Sequence, residues 1–206
     1  MSAREEILTR VRDAISSAGD MAAAEIPRGY RAHIDASVET FIERLHHYGV
    51  STHRAREGEL EPAIRTALRK RDARRVIAPD GLPEAWLEGI EPMRDNPPLD
   101  PQALDQSDGL LSTCAEAIAE TGTIVLDGGA GMGRRALSLV PDYHLCVVRA
   151  DQIAGSVPEA LARLDPVRPL TFVSGPSATV DIELVRVSGV HGPRTLEVIV
   201  ALMPNS

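Results

Sequence analysis

Glu120 occupies an unusual setting for a carboxylate, because it follows the small apolar residues 117–119 and comes just before a glycine, Gly122. A carboxylate there would be partly desolvated, which suits acid–base or nucleophilic chemistry. The same residues also fit a plain hairpin whose threonine side chains satisfy the turn amides. We therefore predict Glu120 as a candidate catalytic residue, with the hairpin as the alternative. The candidate anion-binding residues of this segment are Thr121, Gly122 and Thr123.

A glycine-rich run follows at residues 127–135 and ends in two arginines. Glycines in such a loop let backbone amides converge on an anion, and guanidinium groups can clamp a phosphate or a carboxylate. The spacing matches neither the P-loop nor the dinucleotide-binding fingerprint. A turn with solvated arginines is the alternative interpretation. The candidate anion-binding residues here are Gly131, Gly133, Arg134 and Arg135.

Two later turns also carry polar groups. Residues 174–179 follow a predicted strand at 170–173, and residues 189–194 form a second turn around His191. Donors at the carboxyl end of a strand lie where open α/β sheets bind ligands. A metal site that joins His191 to Asp181 and Glu183 lacks any spacing that would fix its geometry, so we predict none. The candidate binding residues are Ser174, Gly175, Ser177, Thr179 and His191.

The elements that must position these residues are helices and strands, which differ in the spacing of their apolar residues. Helical spacing predicts helices over 2–19, 35–48, 59–71 and 156–164. Short apolar runs predict strands over 76–78, 124–126, 145–148, 170–173 and 196–200. Several of these runs are apolar on both faces, which is typical of a sheet covered on both sides. We predict an α/β fold with a mostly parallel sheet, organised as an N-terminal helical extension, 1–50, and an α/β domain, 51–206.

Composition excludes several classes of protein. The chain has 206 residues and a net charge of −8, which argues against a nucleic-acid binder that uses the basic run 69–75. Two cysteines cannot hold an iron–sulfur cluster alone, since such a cluster takes about four thiolates. We predict Cys114 and Cys146 to be buried packing residues. No apolar stretch approaches the ~18 residues of a membrane helix and no secretory signal is evident, so we expect a cytoplasmic protein.

Four segments together resemble a known family. They are AIAETGTIVL at 117–126, RALSLVPDYH at 135–144, SGPSATVDIE at 174–183 and GVHGPR at 189–194. Their order and spacing are similar to those of the lactate utilisation protein C family, the stand-alone LUD-domain proteins. The resemblance implies a three-layer α/β sandwich with a mostly parallel central sheet, similar to the phosphosugar-isomerase/CoA-transferase superfamily, preceded by N-terminal helices.

The resemblance also implies a role in oxidising L-lactate to pyruvate beside two iron–sulfur proteins. In that setting the chain itself carries no cofactor, and the clusters belong to its partners. We therefore expect an accessory or substrate-handling subunit that binds a small carboxylate or another anionic metabolite. The alternative is a stand-alone enzyme of the acyl/CoA-transferase or phosphosugar-isomerase type, with Glu120 as nucleophile or base. Whether the chain is itself an enzyme stays open at this point.

Overall fold

The computed structural model describes residues 2–17, 26–27, 29–179, 187–189 and 192–203. The chain divides into two compact units, residues 1–30 and residues 31–206. In its described residues, 2–17, 26–27 and 29–30, the first unit contains the helix α1 (Ala3–Ser17). Its start is fixed by reciprocal bonds, because the Ser2 backbone N–H donates to Glu5 Oε2 at 2.7 Å and the Glu5 N–H donates to Ser2 Oγ at 3.3 Å. The helix predicted at the N-terminus is therefore confirmed.

The second unit holds the remaining elements. Its helices are α2 (Val38–His47), α3 (Leu60–Lys70), α4 (Pro101–Asp105) and α5 (Val157–Arg163). Its strands are β1 (Ser51–Arg56), β2 (Arg75–Ile77), β3 (Glu91–Met93), β4 (Gly109–Ser112), β5 (Glu116–Ile118), β6 (Thr123–Leu126), β7 (Tyr143–Arg149), β8 (Ile153–Ala154), β9 (Thr171–Val173), β10 (Ala178–Thr179), β11 (Val187–Ser188) and β12 (Thr195–Leu202).

A six-stranded sheet in the order β1-β12-β7-β4-β2-β3 forms the centre of this unit. Every neighbouring pair in it is parallel. The central strands β7 and β12 are buried along nearly their whole length, as expected for a sheet that is covered on both faces. The prediction of an α/β fold with a mostly parallel sheet is confirmed.

The two faces of this sheet are covered differently. On one face, α3 packs Ile64 and Leu68 against side chains such as Val147 of β7. On the other face, Phe41 and Leu45 of α2 enter a core that also contains Ile124 of β6. Both of these α2 side chains are completely buried. The predicted domain boundary at residue 50 stays a prediction, which a truncation experiment can test.

The small sheet has four strands in the order β8-β5-β6-β9, with β6 antiparallel to both of its neighbours. The sequence did not predict this second sheet, which contains two of the predicted strands, β6 and β9. Ile124 of β6 packs toward the central sheet, whereas Val125 packs toward Ala160 of α5. A strand between a second sheet and a helix is as apolar on both faces as one between two helices, so the pattern alone could not separate the two arrangements.

The described part of the chain contains no helix that is long and apolar enough to cross a membrane.

Candidate functional site

The glycine-rich run folds over the carboxyl ends of β2 and β4. The Gly131 N–H donates to the carbonyl of Asp80 at 2.7 Å, and the Thr113 N–H donates to the carbonyl of Gly131 at 2.9 Å. Gly131 has a φ of +73°, and an added Cβ would lie 2.5 Å from Thr113 Oγ1. Only glycine therefore allows the loop to approach β4 this closely.

This position is the topological switch point of the central sheet. The strands β2 and β4 are neighbours in this sheet. From β2 the chain continues to β3 on one side, whereas from β4 it continues to β7 on the other side. Open α/β sheets commonly bind ligands at such a point. The glycine-rich run covers it and leaves a cleft of about 470 Å³, which is lined by Asp80, Asp95 and the loop itself.

Arg134 is held by protein groups at this cleft. Its Nε and Nη2 atoms donate to the two carboxylate oxygens of Asp95 at 2.8 and 3.0 Å, and Nη2 also donates to the carbonyl of Leu99 at 2.6 Å. The bonds from Arg134 hold the pKa of the Asp95 carboxyl below its usual range. The sequence predicted Arg134 as an anion clamp, but in this structure its guanidinium clamps the segment that follows β3.

Asp95→Asn should destabilise the protein by about 1–2 kcal/mol at neutral pH, since charge-assisted hydrogen bonds contribute on this scale. Because the pKa of Asp95 is lowered in the folded state, its stabilisation is present above the unfolded pKa of about 4 and is lost as the pH falls through the folded pKa. Urea denaturation of both proteins across this range should show the difference in unfolding free energy shrinking toward acid. A difference that is independent of pH would contradict the role of the charged pair.

Arg135, the next residue, has a different environment. It is exposed and lines two adjoining cavities, one of about 260 Å³ beside the glycine-rich run and one of about 440 Å³ beside residues 171–178. The two cavities also share Ser138 and Thr171. Within the described part of the chain, no group accepts a hydrogen bond from the Arg135 guanidinium. Arg135 therefore offers a cationic fork to any anion that enters either cavity.

A chain of three hydroxyl groups begins at Ser174, which lines the larger cavity. Ser174, the residue after β9, places its Oγ 2.7 Å from Thr123 Oγ1, which in turn lies 2.7 Å from Thr121 Oγ1. Ser177 also lines this cavity, and its backbone N–H donates to the carbonyl of Pro193 at 2.9 Å. The structure thus brings together three predicted binding residues from two distant segments of the chain.

The remaining predictions in this region have mixed outcomes. Gly175 lines the larger cavity, with a φ of +91° that places it against Tyr48. Thr179 lies in β10, and its backbone pairs with Val187. His191 lies outside the described residues.

The larger cavity lies beside the segments that lead into two strands of the central sheet. Ser138 and Leu139 line it and come before β7, and Gly192 and Pro193 line it and come before β12. The cavity is therefore at the amino ends of these parallel strands. The predicted residues from 174 onward do follow the carboxyl end of their own strand, β9, but β9 belongs to the small sheet and not to the central one.

Glu120 stands apart from both cavities. Its backbone N–H donates to the carbonyl of Gly155 at 3.1 Å, and its carboxylate pairs with Arg31 at 3.3 Å. The side chain is 36% exposed, so the setting is less buried than its apolar neighbours indicate. Glu120 is not among the residues that line either cavity. The geometry therefore gives no support to a nucleophile or base at this position.

Gly122 has a packing role against α2. Its φ is +62°, and an added Cβ would lie 2.7 Å from Cβ of Arg44 and 3.0 Å from the Arg44 carbonyl carbon. We expect Gly122→Ala to cost about 3 kcal/mol, from left-handed strain together with overpacking. Gly49→Ala is the matched control, because Gly49 has a φ of +78° with open space around it and should cost only about 1 kcal/mol. Equal losses in thermal unfolding would show that the contact with α2 is unimportant.

Sequence reasoning missed Ser138 and Thr171, which border both cavities together with Arg135. A signal for Ser138 was present, since it lies inside the resembling segment 135–144. Thr171 was hidden because a single polar residue in an apolar strand is common. In the described residues, no cluster of three or more His, Cys, Asp or Glu side chains is arranged to hold a metal ion.

Comparisons with known proteins agree with the resemblance seen in the sequence. A family model described as the LUD domain matches residues 100–201. The "Lactate utilization protein C" of Deinococcus radiodurans is 47% identical over 203 residues, which cover 96% of this chain and 95% of that protein. The "Uncharacterized protein YkgG" of Escherichia coli is 38% identical over 84 residues, or 37% of this chain and 36% of that protein.

A solved structure is similar as well. The crystal structure of a DUF162 family protein from Deinococcus radiodurans superimposes with a TM-score of 0.69 at 47% identity, over 79% of this chain and 94% of that one. Sequence and fold therefore lead to the same conclusion: the chain belongs to the lactate utilization protein C family of LUD-domain proteins.

Proposed function

We propose that this protein takes part in lactate utilisation by binding a small hydroxycarboxylate at Arg135. A relative that is 47% identical over 96% of the chain is named for lactate utilization. The observation that carries the proposal is the Arg135 guanidinium, which borders two cavities and has no hydrogen-bond acceptor among the described residues.

The neighbouring arginines differ from Arg135 in being paired. These ion pairs are Arg134–Asp95, Arg163–Glu116, Arg168–Asp127 and Arg194–Asp142, with N···O distances of 2.5–3.3 Å. A guanidinium fork matches a carboxylate with two parallel hydrogen bonds. The hydroxyls of Ser138, Thr171 and Ser174 line the same space and can bond the 2-hydroxyl of L-lactate or the keto oxygen of pyruvate.

Lactate oxidation removes two electrons and two protons, and the two cysteines of this chain are too few for a cluster that could accept those electrons. We therefore place the redox centres on separate iron–sulfur proteins and propose that this chain, without a cofactor of its own, is their accessory or substrate-handling subunit in the cytoplasm. A stand-alone transferase or isomerase has less support, because Glu120 lies outside both cavities.

Deletion of the gene from its own organism tests this function. We expect loss of growth on L-lactate, restored by the wild-type chain and by Arg163→Gln but not by Arg135→Gln. Affinity purification from lactate-grown cells should recover cysteine-rich iron–sulfur proteins with the wild-type chain. Normal growth of the deletion strain on L-lactate, with no second lactate-oxidising system present, would refute the role.

A further inference from the structure

The two cysteines of the chain lie side by side in the core between the two sheets. Cys146 is on β7 and is completely buried, and Cys114 follows β4 by two residues and is 3% exposed. Ser112, at the end of β4, is the register partner of Cys146. Cys146 Sγ lies 3.6 Å from the carbonyl oxygen of Thr113, the residue just before Cys114, and both cysteines belong to the same buried core cluster.

A buried polar chain continues behind Cys146. Ser112 Oγ and His144 Nε2 lie 2.7 Å apart, and both side chains are buried. His144 Nδ1 has no hydrogen-bond partner among the described residues. The polar neighbours Cys114, His144 and Ser112 lower the pKa of the Cys146 thiol, whereas Cys146 together with burial raises the pKa of Cys114. Cys146 is therefore the thiol that loses its proton more readily.

Cys114 also lies at the wall of a surface cleft. It lines a cleft of about 600 Å³ whose walls include Glu116, Asp127 and Gln152. The Gln152 side chain covers the cysteine, since its Nε2 donates to the Cys114 carbonyl at 2.7 Å and its Oε1 lies 3.5 Å from Cys114 Sγ. A small polar oxidant can therefore reach this sulfur by displacing one amide side chain.

We propose that Cys114 and Cys146 form an intramolecular disulfide when hydrogen peroxide enters this cleft. In the first step one thiolate attacks a peroxide oxygen, the O–O bond breaks, and a sulfenic acid forms while hydroxide leaves and is protonated to water. In the second step the other thiol attacks the sulfenic sulfur, the S–O bond breaks, and a second water leaves. Two thiols and one peroxide become one disulfide and two waters.

Trypsin separates the two cysteines, because cleavage at arginine places Cys114 in residues 95–134 and Cys146 in residues 136–149. We expect mass spectrometry of the folded, peroxide-treated protein to show these peptides linked and lighter by two hydrogens, with the linkage removed by reductant. Separate sulfenic or sulfinic acids, a disulfide between two chains, or unreacted thiols would each overturn the proposal.

Variants and a urea series separate a native reaction from one of unfolded chains. Cys114→Ser and Cys146→Ser should each abolish the linked peptide, and Gln152→Ala should form it severalfold faster because Cys114 is uncovered. In urea below the unfolding transition, the wild-type rate should stay nearly constant. Two results would contradict access through the cleft. One is a rate that rises in proportion to the unfolded fraction, and the other is a Gln152→Ala protein with a native circular-dichroism spectrum that forms the disulfide no faster than the wild type.

Discussion

Arg135→Gln is expected to weaken the binding of L-lactate to the purified protein by about 100-fold, which corresponds to about 2.7 kcal/mol. Glutamine keeps a polar side chain, although a shorter one, and removes the charge and the parallel pair of donors. Charge-assisted bonds to a carboxylate account for a loss of this size, since each contributes about 1.5–3 kcal/mol. Isothermal titration calorimetry of the wild type and the variant measures the change.

Arg163→Gln is the matched control for this binding experiment. Arg163 is partly exposed, pairs with Glu116 at 3.3 Å, and lines neither of the Arg135 cavities. It should leave the affinity within about twofold of the wild type, because remote surface charges contribute little to binding at ordinary ionic strength. If both variants bind L-lactate equally well, the site is not at Arg135, even though the chain could still support growth on lactate.

Removal of residues 1–50 should abolish cooperative folding, whereas removal of residues 1–30 should leave a folded protein. The longer truncation deletes α2, whose Phe41 and Leu45 are completely buried and whose Ile42 is 8% exposed. Truncation of one such side chain to alanine costs about 2–5 kcal/mol, and whole domains are stable by only about 5–15 kcal/mol. Losing all three exposes the core between α2 and the two sheets.

Circular dichroism and urea titration of the two truncated proteins test this expectation. Phe41→Ala in the full chain is the milder control and should lower the unfolding free energy by about 3–5 kcal/mol without changing the fold. A cooperative unfolding transition in residues 51–206 alone would support the domain boundary predicted from the sequence. Its absence would place α2 inside the α/β domain, together with residues 31–206.

The parallel sheet could be predicted because the information for it is local. The run at 145–148 is hydrophobic on both faces, and so is the run at 196–200 apart from Glu197, and this pattern already indicates cover on both sides. The helices α2 and α3 were likewise visible in the spacing of their apolar residues. What the runs could not reveal was their partner, since β6 is equally apolar whether a helix or a second sheet covers it.

The candidate site was harder to predict, because its chemistry depends on partners far away in the sequence. Arg134 and Arg135 are identical in type and adjacent, yet one is bonded to Asp95 and the other faces two cavities. Glu120 seemed buried by its neighbours in sequence, but Arg31 reaches it from 89 residues away. Ser174 meets Thr123 across 51 residues.

The sequence alone therefore determined the class of fold, the family, and the supply of chemical groups: glycine-rich loops, arginines, hydroxyls and two thiols. Periodicity and turn chemistry act over a few residues and are readable in one dimension. The tertiary structure decided that Arg134 is bonded to Asp95 while Arg135 faces two cavities, at which end of the sheet the larger cavity opens, and that both cysteines enter the same buried core. Those outcomes depend on which side chains the folded chain brings within about 3–4 Å of each other, and hydrogen bonds and ion pairs act only at that range.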